Sequence, residues 1–249
     1  MDFKVVIPAR YASTRLPGKP LLEIGGKPLL AHVVDRARES GAEEVVVATD
    51  DQRIHSVAKA LGVEVMLTST DHESGTERIA EVIRRSAWQA DTCVVNLQGD
   101  EPFMPASLIR QVADDLLVHA KAPMATLATP ITEPAAIFDP NVVKVLLDGE
   151  GYAIYFSRAP IPWDRECFPL QPGDEAPEGY LRHIGLYAYR AGFVDRYIDW
   201  PASPVESVER LEQLRVLWHG ERIHVSVTEE DTGVGVDTAE DLERARKRV

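Results

Sequence analysis

The sequence predicts an α/β fold: a mostly parallel, Rossmann-like sheet flanked by helices, with a smaller β-rich lobe. Three observations support this. Short apolar runs alternate with helical patterns over the first hundred residues, the order of successive βαβ units and hence of a sheet covered on both faces. Polar segments follow several of these runs, where the carboxyl edge of such a sheet forms a ligand crevice. From Met124 onward the runs lengthen and carry aromatic residues, and Pro, Gly and acids crowd residues 159–180.

In order, the strand FKVVIPA leads to a helix over about 28–39, EVVVAT to one over about 51–61 and VEVML to one over about 75–87, and TCVVNLQ closes the series. MATLATPI, NVVKVLL, YAIYFSRA and LRHIGLYAYR read as longer strands. A helix over 207–218, a strand over 223–228 and an amphipathic helix over 238–247 end the chain. Thr238 is a candidate N-cap for that last helix, with Asp241 three residues on. The expected organisation is a single domain over 1–249, its main part at about 1–123 and 219–249 and its lobe at about 124–218.

A chain of 249 residues with 45% hydrophobic and 27% charged residues buries a large core without disulfide staples. Cys93 falls in an apolar strand and Cys167 in a loop, and both read as incidental thiols. No stretch approaches a membrane span, and MDFKVVIPAR lacks the order of a signal peptide, so the expected location is cytoplasmic. The formal net charge of -13 argues against a nucleic-acid backbone as partner. Charge is unevenly placed, however. Residues 1–38 hold seven Lys/Arg against three acids, whereas the rest of the chain holds 20 against 37. An anion therefore belongs at the opening segment.

That segment, PARYASTRLPGK, places Arg10, Arg15 and Lys19 around Ser13, Thr14, Pro17 and Gly18, residues that favour irregular backbone with free N–H groups. Such a loop after a strand suits the phosphates of a nucleoside triphosphate. It is not a Walker A loop, because Ser13 stands where glycine is required and Pro20 where Ser or Thr would hold magnesium. TDD and QGDEP follow other strands at the same edge. Asp100 in QGDEP, beside phosphates, calls for a hard cation between them, and magnesium suits one or two carboxylates plus phosphate oxygens. Asp237 follows the apolar run GVGV, which would carry it inward; a metal shared with Asp100 resolves the cost of burial, and so does an ordinary ion pair. His183 and Tyr187 share one face of a strand with Gly185 between them, an arrangement fit for sugar hydroxyls or for plain core packing. The other histidines show no ligand spacing.

With IPARYASTRLPGKPL, DHESGTERIAEV, VVNLQGDEP, NVVKV, YFSRAPIPWDR, RHIGLYAYR, ESVERLEQLRVLWHGERIHV and VDTAEDLERAR on the page, the chain resembles the 3-deoxy-manno-octulosonate cytidylyltransferase family, the CMP-Kdo synthetases. The resemblance runs through nearly the whole sequence. It implies a nucleotide-diphospho-sugar transferase fold and a homodimer that makes CMP-Kdo and pyrophosphate from CTP and Kdo with Mg2+, for lipopolysaccharide assembly. It assigns nucleotide binding to the main part of the chain, and sugar binding and dimerisation to the lobe. Carried onto this sequence, it places Arg10, Arg15 and Lys19 on the CTP phosphates and Ala9, Ser74, Gln98 and Gly99 around the nucleotide. Asp100 and Asp237 become the magnesium ligands, and with Lys19 the catalytic set. Arg78, Gln98, Arg158, His183, Tyr187, Glu212 and Gln213 fall in the sugar-acid pocket. Arg158 is the expected fork for the Kdo carboxylate, since a guanidinium makes two parallel bonds to it and lysine cannot. Helical position alone would leave Glu212 and Gln213 in solvent.

Overall fold

The computed structural model describes residues 2–12, 16–170, 174–233 and 235–249. β1 (Lys4–Pro8) is followed by a 3-10 turn at Lys19–Leu21, the small hairpin of β2 (Glu23–Ile24) and β3 (Lys27–Pro28), and α1 (Leu29–Glu39). The expected alternation continues through β4 (Glu44–Thr49), α2 (Gln52–Ala60), β5 (Glu64–Leu67), α3 (Gly75–Ser86) and β6 (Cys93–Asn96). Next come α4 (Ala106–Val118), β7 (Met124–Pro130), α5 (Pro134–Phe138), β8 (Lys144–Leu147), β9 (Ala153–Ser157) and β10 (Leu181–Arg190). The chain ends with α6 (Ala191–Ile198), α7 (Pro204–Glu209), α8 (Gln213–Trp218), β11 (Ile223–Val227) and α9 (Ala239–Arg248).

The main sheet runs β11-β7-β10-β6-β1-β4-β5. Along this path only β10 opposes its neighbours, pairing antiparallel with both β6 and β7, while β1 pairs parallel with β4 and β6. β8 attaches to β10 at Arg182 and Lys144 and carries β9 on its other edge. The strand run 124–190 therefore joins the sheet that holds β1. Apolar helix faces cover both sides of it. Leu30 and Val33 of α1, Leu108 and Val112 of α4 and Leu242 of α9 pack on one face. Ile79 and Ile83 of α3, Phe193 of α6 and Leu214 of α8 pack on the other. Each such side chain contributes roughly 1.5–3 kcal/mol by leaving water.

Local chemistry sets several helix starts. Asp51 caps α2, accepting from the Arg53 and Ile54 amides, and its bonds with Arg53 hold its carboxyl down at about 2. Asp50 binds Arg78 at 2.7 Å, so the TDD segment organises helices and walls. Thr238 and Asp241 form the expected capping box at α9.

Three expectations change. The helix expected over 207–218 is two helices, because Arg210 takes a left-handed conformation at φ 54 and breaks it. In NVVKVLL only Lys144–Leu147 is strand; residues 141–143 form a loop. The alternation of patterns leaves α4, α5 and α6 unannounced, although ASLIRQVADDLLV carries an apolar face that buries Leu108, Ile109, Val112 and Leu116.

Candidate active site

Two adjoining hollows open at the carboxyl ends of β1 and β6. The smaller, about 290 Å³, is lined by Pro8, Ala9, Arg10, Lys19, Ser74, Arg78, Gln98, Gly99, Asp100 and Asp237. The larger, about 580 Å³, is lined by Asn96, Arg182, His183, Tyr187, Arg210, Glu212 and Gln213, among others. Gly75, Gln98, Asp100, Glu212 and Asp237 line both and form their junction. Arg15, with Ser13 and Thr14, lies outside the described residues.

Lys19 stands at that junction. Its Nζ lies 2.7 Å from Asp100 Oδ2 and 3.0 Å from Asp237 Oδ1, so residues 137 positions apart in sequence share one cation. Burial alone would lower the Lys19 pKa; the two carboxylates outweigh it and hold the ammonium above its ordinary value. A backbone bond from the Val236 N–H to the Asp100 carbonyl, 2.9 Å, brings the two segments together. The Asp237 side chain is 46% exposed, so the GVGV run does not carry it into the interior. Neighbouring Glu101 is pushed up to about 8 by burial, with Asp100 and Asp237 adding to the effect. Gly99 is required by close approach, since a Cβ there would sit 2.7 Å from the Pro8 carbonyl.

His183 and Tyr187 both face the larger hollow, with ring centroids 5.4 Å apart. A bulge between Ile184 and Tyr187 inserts Gly185 and Leu186, and Thr126 Oγ1 lies 3.0 Å and 2.8 Å from the Ile184 and Leu186 carbonyls. The hydroxyl gives its one proton there, so His183 Nε2, 3.0 Å away, donates to Thr126 and leaves Nδ1 as an acceptor. Burial lowers the His183 pKa to about 3 and raises that of Tyr187 well above its usual range; both are neutral at pH 7. Glu212 stands at the N-cap position of α8 without a side-chain capping bond; its carboxylate instead accepts from Thr76 Oγ1 at 3.1 Å, with its pKa raised by burial. The break at Arg210 turns Glu212 and Gln213 into the hollow. Two buried polar atoms in its lining, Asn96 Oδ1 and Gln213 Nε2, have no hydrogen-bond partner among the described residues.

Two residues expected at the sugar acid do not line the hollow that holds His183 and Tyr187. Arg158 lines neither hollow: Nε donates to the Glu209 carbonyl at 2.7 Å and Nη1 to the Pro140 carbonyl at 2.8 Å. It ends the β9 edge, where carbonyl acceptors take the fork that a substrate carboxylate would need. Arg78 lines the smaller hollow, 3% exposed, and is committed to Asp50, Thr68 and the Ser69 carbonyl. In the larger hollow the guanidinium groups are those of Arg182 and Arg210, neither of which makes a side-chain hydrogen bond or ion pair among the described residues. Asn96, Glu101, Arg182 and Arg210 also line this hollow, and none of them is among the residues expected there. Asn96 had a usable signal, since in the expected strand TCVVNLQ it lies two residues before Gln98 on the same face.

A second cluster, Asp115, His119 and His224, brings potential ligand atoms within 4.8 Å of one another, a proximity the sequence spacing did not show. The two imidazoles are stacked at 3.4 Å and 11°, and Asp115 Oδ2 lies 2.7 Å from His224 Nδ1. Lone pairs of stacked rings run parallel rather than converging on one ion, and this arrangement ties α4 to β11.

Fold and site together define a nucleotidyl-transfer protein, and the comparisons agree: the cytidylyltransferase family model matches residues 4–223, and the chain belongs to that family. More narrowly, it belongs with the 3-deoxy-manno-octulosonate cytidylyltransferases. It is 61% identical to the enzyme of that name from Idiomarina loihiensis over 99% of this chain and 98% of that protein. A solved CMP:2-keto-3-deoxy-manno-octonic acid synthetase complexed with CTP superposes with a TM-score of 0.90 at 40% identity, over 100% of this chain and 98% of that one. A 4-diphosphocytidyl-2C-methyl-D-erythritol synthase, 15% identical with a TM-score of 0.64 over 99% of this chain and 97% of that one, shares the fold.

Proposed function

We propose that the chain transfers CMP from CTP to the anomeric hydroxyl of 3-deoxy-D-manno-octulosonate (Kdo), releasing pyrophosphate. The observation that carries this is the Asp100–Lys19–Asp237 triplet at the junction of one hollow suited to phosphates and another suited to a polyol acid. CTP occupies the smaller hollow, against Ala9, Arg10, Lys19, Ser74 and Gly99. Kdo occupies the larger. There His183 Nδ1 accepts from a hydroxyl, the Tyr187 hydroxyl donates, and Asn96 Oδ1 and Gln213 Nε2 offer unmet polar atoms to further hydroxyls. Arg182 and Arg210 supply positive charge for the carboxylate in place of Arg158.

Asp100 and Asp237 already share one cation, and hard carboxylate oxygens beside a phosphate pocket fit Mg2+. Bound there, magnesium would neutralise charge at the α-phosphorus and lower the pKa of the attacking hydroxyl. The Lys19 ammonium, held charged by its two partners, supports charge developing on the phosphates as the bond to pyrophosphate breaks. Placing both reactants at one junction supplies the proximity that two mutually repelling anions lack in water. Homodimerisation, a cytoplasmic location and a place in lipopolysaccharide assembly complete the reading and are supported by the family resemblance. Among the described residues, no helix is long and apolar enough to cross a membrane.

The test is pyrophosphate release with Mg2+, comparing CTP with ATP, GTP and UTP, and Kdo with sialic acid. Turnover is expected for CTP with Kdo, and its absence from purified protein would sink the proposal. Asp100→Ala should abolish turnover while the thermal transition is retained, because this carboxylate stands at a cavity wall and not in the core.

A further inference from the structure

Lys144 is completely buried, and its role lies outside the transfer chemistry. Its ammonium donates to three main-chain carbonyls: Asp139 at 2.9 Å, Val142 at 2.6 Å and Arg158 at 2.7 Å. An ammonium has three protons, so every donor is used. Arg158 continues the connection. Its guanidinium reaches the Pro140 and Glu209 carbonyls, while the Glu209 carboxylate accepts from the Arg158 N–H at 3.0 Å and from Ser157 Oγ at 2.6 Å.

The segments joined in this way are two walls of the larger hollow. Asn141, Val142 and Val143 line one side, and Arg210 to Gln213, directly after Glu209, line the other. The His183 N–H also donates to the Val143 carbonyl at 2.8 Å, so the first wall sets the height of the histidine as well. Of the smaller hollow's lining, the clamped segments hold Glu212 alone, a residue of the junction, while Ala9, Arg10, Lys19, Ser74 and Gly99 lie on other elements. We propose that Lys144 and Arg158 are positioning residues for the acceptor half of the site: they clamp residues 139–143 to residues 209–213 and thereby fix the shape into which the sugar acid fits. The proposal rests on the reading above that the larger hollow takes the sugar acid.

Arg158→Met and Lys144→Met separate the possibilities through KM for each substrate, together with equilibrium binding of Kdo and of its carboxamide, which lacks the negative charge. With the clamp loosened, KM for Kdo rises about tenfold to a hundredfold, as expected when hydrogen bonds that hold a site in place are lost. KM for CTP stays within about twofold, and the acid and the amide weaken by the same factor. Arg158→Lys should resemble Arg158→Met, because one ammonium cannot span both carbonyls. Three results overturn the proposal: an unchanged KM for Kdo; weakening confined to the acid, which would mean that Arg158 meets the carboxylate itself; or an equal rise in KM for CTP, which would mean general loosening. Should Lys144→Met fail to fold, the Arg158 variants decide alone. A wild-type protein inactive with CTP and Kdo would instead fault the assignment of the reaction.

Discussion

At the scale of single residues, Lys19 occupies a place that two carboxylates would otherwise make repulsive. Asp100 and Asp237 are 33% and 46% exposed, so solvent screens much of their interaction and removing the cation should cost only about 1 kcal/mol. Lys19→Met is therefore expected to lower the metal-free melting temperature by a few degrees, with Mg2+ restoring most of the loss by replacing the missing charge. Turnover should fall about 10²–10³-fold, the scale for losing one preorganised charge-stabilising group. A calorimetric scan with and without Mg2+ checks the first part, and a lowered transition that magnesium leaves unmoved would deny the carboxylates their metal. Residues whose chemistry depends on type alone were legible in the sequence: a cationic loop after a strand and an acid after another imply each other. Arg158 was not, because a guanidinium suits main-chain carbonyls as well as a carboxylate, and only the fold shows that Pro140 and Glu209 offer theirs.

Among elements, the α7–α8 break decides how Glu212 and Gln213 are used. Leu211, Leu214, Val216 and Leu217 fit a continuous helix over 207–218, and no glycine at 210 announces a left-handed residue. Ser203 and Glu206 start α7 with a capping box, and the helix ends one turn later with Arg210 at φ 54. A non-glycine residue there is strained by about 1 kcal/mol, which function explains if its guanidinium is wanted in the hollow. Arg210→Gly should thus leave stability equal or raise it by up to about 1 kcal/mol, after the greater freedom of glycine in the unfolded chain is offset. KM for the sugar acid should rise severalfold at the same time. Urea midpoints and steady-state kinetics on the same preparations test the pair, and a variant that loses stability with no change in KM would contradict the role given to Arg210. The alternation β1 to β6 was readable because β1, β4 and β6, largely buried on both faces, show themselves in composition. The path of β7, β8 and β10 was not, because registers such as Arg182 opposite Lys144 leave no mark in a single strand.

On the scale of the whole molecule, the sheet brings distant stretches to one edge, and its antiparallel member β10 sets a neutral histidine into the wall of the larger hollow. The folded protein holds the His183 pKa at about 3 through burial, against an ordinary value of 6.5. Above pH 6.5 both folded and unfolded chains leave this imidazole uncharged, and it contributes no pH dependence. As pH falls below 6.5 the unfolded chain takes up a proton that the folded one refuses, so stability declines progressively toward pH 3. Carboxylates held low, such as Asp51 at about 2, add their own loss only below their ordinary value of 3.8. The interval from pH 6.5 to 5 therefore isolates the histidine from Asp51. His183→Gln keeps an N–H donor for Thr126 and cannot take a proton at these pH values. It should lose less stability than the wild type between pH 7 and 5, whatever its stability at pH 7, and urea midpoints at the two pH values measure the difference. Equal declines in both proteins would show that His183 charges freely in the folded state, and the neutral acceptor assigned to the sugar pocket would then be gone.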